Sequence, residues 1–245
     1  MRVFDTLGSY MRNVSTATDI LSNNLSNVQT GGFKKVLTAL KEQQGQQGGT
    51  ELLSFLDSTP GIVVQTGSPL DLAIDGEAFF VVQTDGGTRY TRNGSFSIND
   101  RGELLSHGKY RVMGKDGNPI ILKGDQNVTG EDGKPVKVLV KNILVSEDGT
   151  VTGDGNNCGT LKLVTIDRRN AAPAPEGKSM IICPESATKP DVKSTVNQNF
   201  LEQSNVSSLE ELVSLTEKYR FFQTAGKLLQ VQDDIYGKVT LLNSR

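Results

Sequence analysis

The chain has 245 residues, 36% of them hydrophobic, and its 28 acidic and 26 basic side chains leave a formal net charge of −2. That length can bury a real core in one or two domains, while balanced charge and a sequence pI near 5.6 exclude a nucleic-acid binder, which needs a basic stripe against phosphates. The longest apolar runs, such as 79–82, are far too short to cross a bilayer, MRVFDTLGSYMRN lacks the apolar core of a secretory signal, and Cys158 and Cys183 are too few for a disulfide framework.

At the N-terminus Leu7, Val14, Leu21 and Val28 recur every seven residues, with Tyr10, Ala17, Ile20 and Leu25 beside them. This spacing predicts an amphipathic helix, because side chains seven apart return to one face. Asp5 or Thr6 is placed to cap its start, and Gly31 and Gly32 to stop it. Residues 43–50, QQGQQGGT, have no apolar anchor and read as a flexible polar connector.

In the body, β-branched or aromatic runs at 71–74, 78–82, 89–91, 95–98, 136–140, 142–145 and 161–166 predict short strands. Seven Asp-Gly or Asn-Gly pairs, beginning at residues 75, 85, 93, 116, 132, 148 and 154, separate or flank them. Such pairs tolerate the positive φ of tight hairpin turns, so the body is expected to be antiparallel. At the far end Ser207 and Ser208 precede Glu210 and Glu211 as overlapping capping boxes. Leu212, Leu215, Tyr219, Phe222, Gly226 and Leu229 then follow the three-four spacing of a coiled-coil seam, continued by Ile235, Tyr236, Val239 and Leu242.

Catalytic chemistry is thin. His107 has no Ser or Cys elbow near it and reads as a turn residue; Asp71 and Asp75 read as strand-end caps; residues 147–157, EDGTVTGDGNN, lack the closing Glu of a calcium loop and read as two successive turns. Gly31-Gly32 with Lys34-Lys35 follows a helix, not a strand, so it reads as a helix stop with solvated lysines instead of a phosphate loop. The terminal stripes are the unexplained feature. Buried, each large apolar side chain contributes roughly 1.5–3 kcal/mol, and pairing the two helices covers one seam only, so the remainder asks for partners. A head-to-tail contact that does not close produces a helical filament.

Four stretches carry a family resemblance. Residues 21–34, LSNNLSNVQTGGFK, resemble the N-terminal signature of the flagellar rod and hook proteins, with Asn23, Asn24, Leu25, Asn27, Thr30, Gly32 and Phe33 on its defining positions and Ser22 and Ser26 replacing alanines. Residues 70–82, LDLAIDGEAFFVV, and 90–96, YTRNGSF, are similar to that family's strand motifs, although Ala78 stands where glycine is common. Residues 200–206, FLEQSNV, with 211–213 and 219–233, resemble its C-terminal segment. TPG at 59–61, QTGSPLDLAI at 65–74, GTLKLV at 159–164 and the short loop after Phe33 look most like the proximal-rod members, the distal-rod members coming next.

The resemblance implies an α+β fold, with terminal helices forming an antiparallel coiled coil plus a central antiparallel, hairpin-rich β domain. It divides the chain into an N-terminal helix of the rod core (1–40), a connector (41–70), the β domain (71–195) and a C-terminal helix (196–245). It implies a non-enzymatic structural subunit without cofactor or metal, which polymerises into the drive shaft that transmits torque. Partners would be other copies of itself, other rod proteins and the flagellar type III export apparatus, with no nucleic acid and no membrane insertion. The location would be the periplasmic rod, reached without a cleaved signal. Assembly is assigned to Leu7, Val14, Leu21, Asn23, Asn24, Leu25, Asn27, Val28, Gly32, Phe33, Leu212, Leu215, Tyr219, Phe222, Gly226, Leu229 and Ile235, the asparagines setting helix register. A secreted carbohydrate-binding or hydrolytic module with oligomerising helices, and an export chaperone or cap, are the readings from other classes.

Overall fold

A computed structural model of the chain describes residues 2–42, 50–122, 140, 142–174 and 179–243. They divide into two compact units, one made of residues 1–26, 36–54 and 207–245, the other of 27–35 and 55–206. The first is helical: α1 (Arg2–Ser26) and α2 (Ser208–Asn243) pack on one another, and β1 (Val36–Glu42) pairs with β2 (Thr50–Leu56). The helices run antiparallel, for Tyr10 and Phe221 meet edge to face at 5.0 Å and Asn24 reaches Glu211. On α1, Tyr10, Val14, Ala17, Leu21 and Asn24 form one buried or half-buried line with four-three spacing.

Both helix starts differ in detail from expectation. Since α1 begins at Arg2, Asp5 and Thr6 lie inside it and not at its start; it also ends at Ser26, ahead of the glycines. At α2 Ser208 is already the first helical residue, and Ser207 accepts the Glu210 amide at 3.5 Å on its hydroxyl and that of Glu211 at 3.0 Å on its carbonyl. Strands β1 and β2 occupy 36–42 and 50–56, where sequence indicates helix domain and connector. The QQGQQGG tract between them lies outside the described residues, as does the expected strand at 136–140 apart from Val140.

The second unit is all β. In chain order its strands are β3 (Val63–Gln65), β4 (Leu72–Asp75), β5 (Phe79–Thr84), β6 (Gly87–Thr91), β7 (Phe96–Ile98), β8 (Leu104–Ser106), β9 (Tyr110–Val112), β10 (Ile143–Val145), β11 (Thr150–Gly153), β12 (Asn156–Thr160), β13 (Leu163–Ile166), β14 (Ala172–Pro173), β15 (Met180–Ile182), β16 (Thr188–Pro190), β17 (Thr195–Gln198) and β18 (Phe200–Glu202). The main sheet runs β14-β15-β6-β5-β9-β8-β7, with β13 joining β5 to β16; β10-β11-β12 form a meander, and β17-β4 and β18-β3 form ribbons. Among the described residues of this unit every strand pairing is antiparallel, as the turn chemistry requires. Strand β5 carries Phe79, Phe80, Val81 and Val82, each at most 2% exposed, because neighbours cover both of its faces.

Of the seven Asp-Gly or Asn-Gly pairs, those at 85, 116, 148 and 154 turn hairpins and the one at 132 lies outside the described residues. The pairs at 75 and 93 do not. Gly94 is there for proximity: a Cβ would sit 1.7 Å from the Leu72 carbonyl, so only glycine lets these two backbones meet through the Leu72 amide and Gly94 carbonyl.

Candidate functional site

The quoted motifs that lie far apart in sequence meet at one place in the β unit. After α1 the chain turns through Asn27, whose carboxamide oxygen accepts the Thr30 hydroxyl at 3.1 Å, and reaches Gly32 at φ +66°. The Gly32 amide donates to the Glu202 carbonyl at 2.8 Å, and a Cβ on Gly32 would lie 2.2 Å from the Asn93 nitrogen. Phe33 is 4% exposed. Thus 30–34, 90–94 and 200–206 form one closed junction.

At its centre are three charges. The Lys34 ammonium lies 2.6 Å from Glu202 Oε1 and donates to the Thr59 carbonyl at 2.7 Å; Arg92 Nη1 lies 3.3 Å from Glu202 Oε2; all three side chains are at most 1% exposed. Arg92 also donates to the carbonyls of Ile74 and Gly76 and sits 5.1 Å over the Phe79 ring. The Gly61 amide donates to Glu202 Oε1 at 2.9 Å, while Glu202 Oε2 holds Arg92 as an ion pair without hydrogen-bond geometry. Burial pulls both cations below their ordinary pKa, and Glu202 opposes that pull in each case.

A second polar residue laces the same junction. Asn205 accepts the Lys35 amide at 2.7 Å and donates to the carbonyls of Asp57 and Thr59, each at 3.1 Å. Lys34, expected to be solvated, is therefore a buried structural cation; Arg92, Glu202 and Asn205 escaped the sequence reading as individual residues. The available signal was charge embedded in apolar motifs, in GFK, TRNG and LEQSN.

In the helical unit Asn24, 0% exposed, both donates to the Val36 carbonyl and accepts the Val36 amide, each at 3.0 Å, and also donates to Glu211 Oε2 at 3.2 Å. Replacing Asn24 by alanine leaves both main-chain groups of Val36 buried without those bonds. A loss of about 1–3 kcal/mol is expected, read as a lower urea midpoint of the full chain. Among the other assembly candidates, Val14 is buried, Leu21, Leu25, Val28, Leu215, Gly226 and Leu229 are half-buried, and Asn23, Leu212, Tyr219, Phe222 and Ile235 are exposed. Leu7 lies in α1, its side chain outside the described residues.

The covered side of α2 consists of Glu211, Ser214, Leu215, Ala225, Gly226, Leu229 and Gln232. On the rest of the helix Leu212, Val213, Tyr219, Phe221, Phe222, Leu228, Val231 and Ile235 are 41–61% exposed, a broad apolar surface open to solvent. His107 sits in the β8–β9 turn, its ring nitrogens 2.9 Å from the Ser106 hydroxyl and 3.0 Å from that of Ser179. The Asn93 carboxamide nitrogen approaches the same ring at 3.4 Å.

The motifs agree with the relatives. The flagellar hook protein FlgE/F/G D1 domain matches residues 73–153, and the flagellar basal body rod FlgEFG protein C-terminal family matches residues 197–242. The flagellar basal-body rod protein FlgF of Rhizobium meliloti is 30% identical over 219 residues, covering 86% of this chain and 84% of that protein. FlgF of Caulobacter vibrioides is 28% identical, with 86% and 85% covered, and the flagellar basal-body rod protein FlgG of Bacillus subtilis is 29% identical, with 93% of each covered.

Proposed function

Because the chain belongs to the flagellar basal-body rod protein family and is a structural subunit of that rod, we propose that it is a proximal-rod subunit whose terminal helices pair as a coiled coil and pack among those of neighbouring subunits. The observation that carries this reading is the open apolar surface of α2. Eight large apolar residues from Leu212 to Ile235 stay exposed while only one side of the helix is covered. At about 25 cal/mol per Å² of apolar surface removed from water, packing that surface against neighbours is a gain the subunit does not realise alone. The resemblance of residues 59–61, 65–74 and 159–164 to the proximal-rod members supports the proximal over the distal position. Asn24, clamped to Glu211 of α2, supports the register role given to the asparagines.

In this reading the subunit passes through the flagellar type III export channel without a cleaved signal and assembles in the periplasm beside other rod proteins. Its terminal helices acquire their full order when neighbours supply the missing surface, as segments that fold on binding do. Deleting residues 207–245 is expected to abolish incorporation into basal bodies, measured by immunoblotting purified basal bodies and by swimming. Incorporation at the wild-type level would overturn the role given to α2.

A further inference from the structure

The β unit closes with the two ends of its own sequence. Its first strands pair with its last, β4 with β17 from Leu72↔Gln198 to Asp75↔Thr195, and β3 with β18 from Gln65↔Phe200 to Val63↔Glu202. Lys34 and Glu202 meet across 168 residues of sequence. Val196, 1% exposed, fills the same core as Leu72, Phe80 and Met180, so the late segment completes the packing of the central strand and not merely that of an edge.

Electrostatics point the same way. Glu202 is the foremost countercharge of both Arg92 and Lys34; Glu77, Asp191 and Asp75 act less on the one, and Asp57 less on the other. Folding residues 27–94 before Glu202 arrives would bury two cations without their shared anion. The Gly32 amide would lack its acceptor as well, a further penalty for early closure.

We infer that residues 195–206 are the closing segment of the β unit, and that the hairpins before them do not hold their native packing until this segment docks. The unit thus folds only when nearly all of its sequence is available. The use of such a device rests on the export route proposed above: a chain that has not yet emerged in full lacks one of the segments the β unit needs to close, and so stays extended in the channel. Its test does not depend on that route.

Pulse-labelling hydrogen exchange during refolding of the full-length chain from urea reads the order of closure. Amides of β5, β6 and β9 are expected to gain protection in one phase with those of Val196 and β18, and Glu202→Gln is expected to slow both groups together by about tenfold. Protection of β5 and β6 in an earlier phase overturns the inference. So does a Glu202→Gln chain in which only Gly32, β3 and β18 lose protection. Should that variant not fold, the wild-type arm decides alone. Neither arm reads incorporation, so a failure of the rod assignment and a failure of this inference are told apart.

Discussion

Replacing Glu202 by glutamine is expected to cost the β unit about 3–5 kcal/mol, because it leaves Lys34 and Arg92 buried without the carboxylate that sits between them. The glutamine fills the same space and can still accept the Gly61 amide, so the loss reports charge and not volume. Urea unfolding with the slope held in common should show the midpoint falling by the corresponding amount. Added salt should not rescue the variant, since ions screen exposed charges far better than side chains at most 1% exposed. Lys34→Met in the same background removes one of the two stranded cations. The double variant should therefore lose less than the sum of the single losses, by about 0.5–3 kcal/mol. Additive losses would mean that the three groups do not work as one.

Gly32→Ala should destabilise to a similar degree for an unrelated reason. The position combines φ +66° with a Cβ that would stand 2.2 Å from the Asn93 nitrogen and 2.3 Å from the Arg92 carbonyl carbon. The first feature costs of order 1–3 kcal/mol for a residue with a Cβ, and the second, overpacking against backbone that cannot swing aside, costs about 1–3 kcal/mol more. Gly67→Ala is the matched control: its φ of +78° is similar, yet a Cβ there meets nothing within 4 Å. Calorimetry on the two variants should place the melting point of Gly32→Ala well below that of Gly67→Ala. Equal shifts would show that the junction relaxes around the methyl group and that close approach of 32 to 93 is not required.

The helices and six of the eighteen described strands, β4, β5, β6, β7, β10 and β13, were legible in the sequence because their periodicities are local. The α1 stripe is narrow, so Val14 and Ala17 define a single face and the structure buries both. On α2 apolar residues lie all round, and the three-four pattern admits several lines; the covered side takes Leu215, Gly226 and Leu229 of the expected seam but leaves Leu212, Tyr219 and Phe222 in water. Strands β1 and β2 were missed because VLTALKE and TELLSFL show no alternation, and their pairing is tertiary. The ionic junction was illegible for a different reason. Nothing near Lys34 in sequence announces a carboxylate 168 residues away, and an isolated lysine after a helix stop is ordinarily wet. Only the meeting of motifs in space turns GFK, TRNG and LEQSN into one structure.

The chain crosses between its two units four times, after residues 26, 35, 54 and 206. On the β side these crossings are not loose ends. Asn205 alone binds the Lys35 amide and the carbonyls of Asp57 and Thr59, its own amide donates to the Phe33 carbonyl, and the Lys35 carbonyl takes the Asp57 amide. A pull on any one strand is thereby spread over the others, as tension is in a spliced cable, and rupture would have to break several hydrogen bonds at once instead of unzipping them singly.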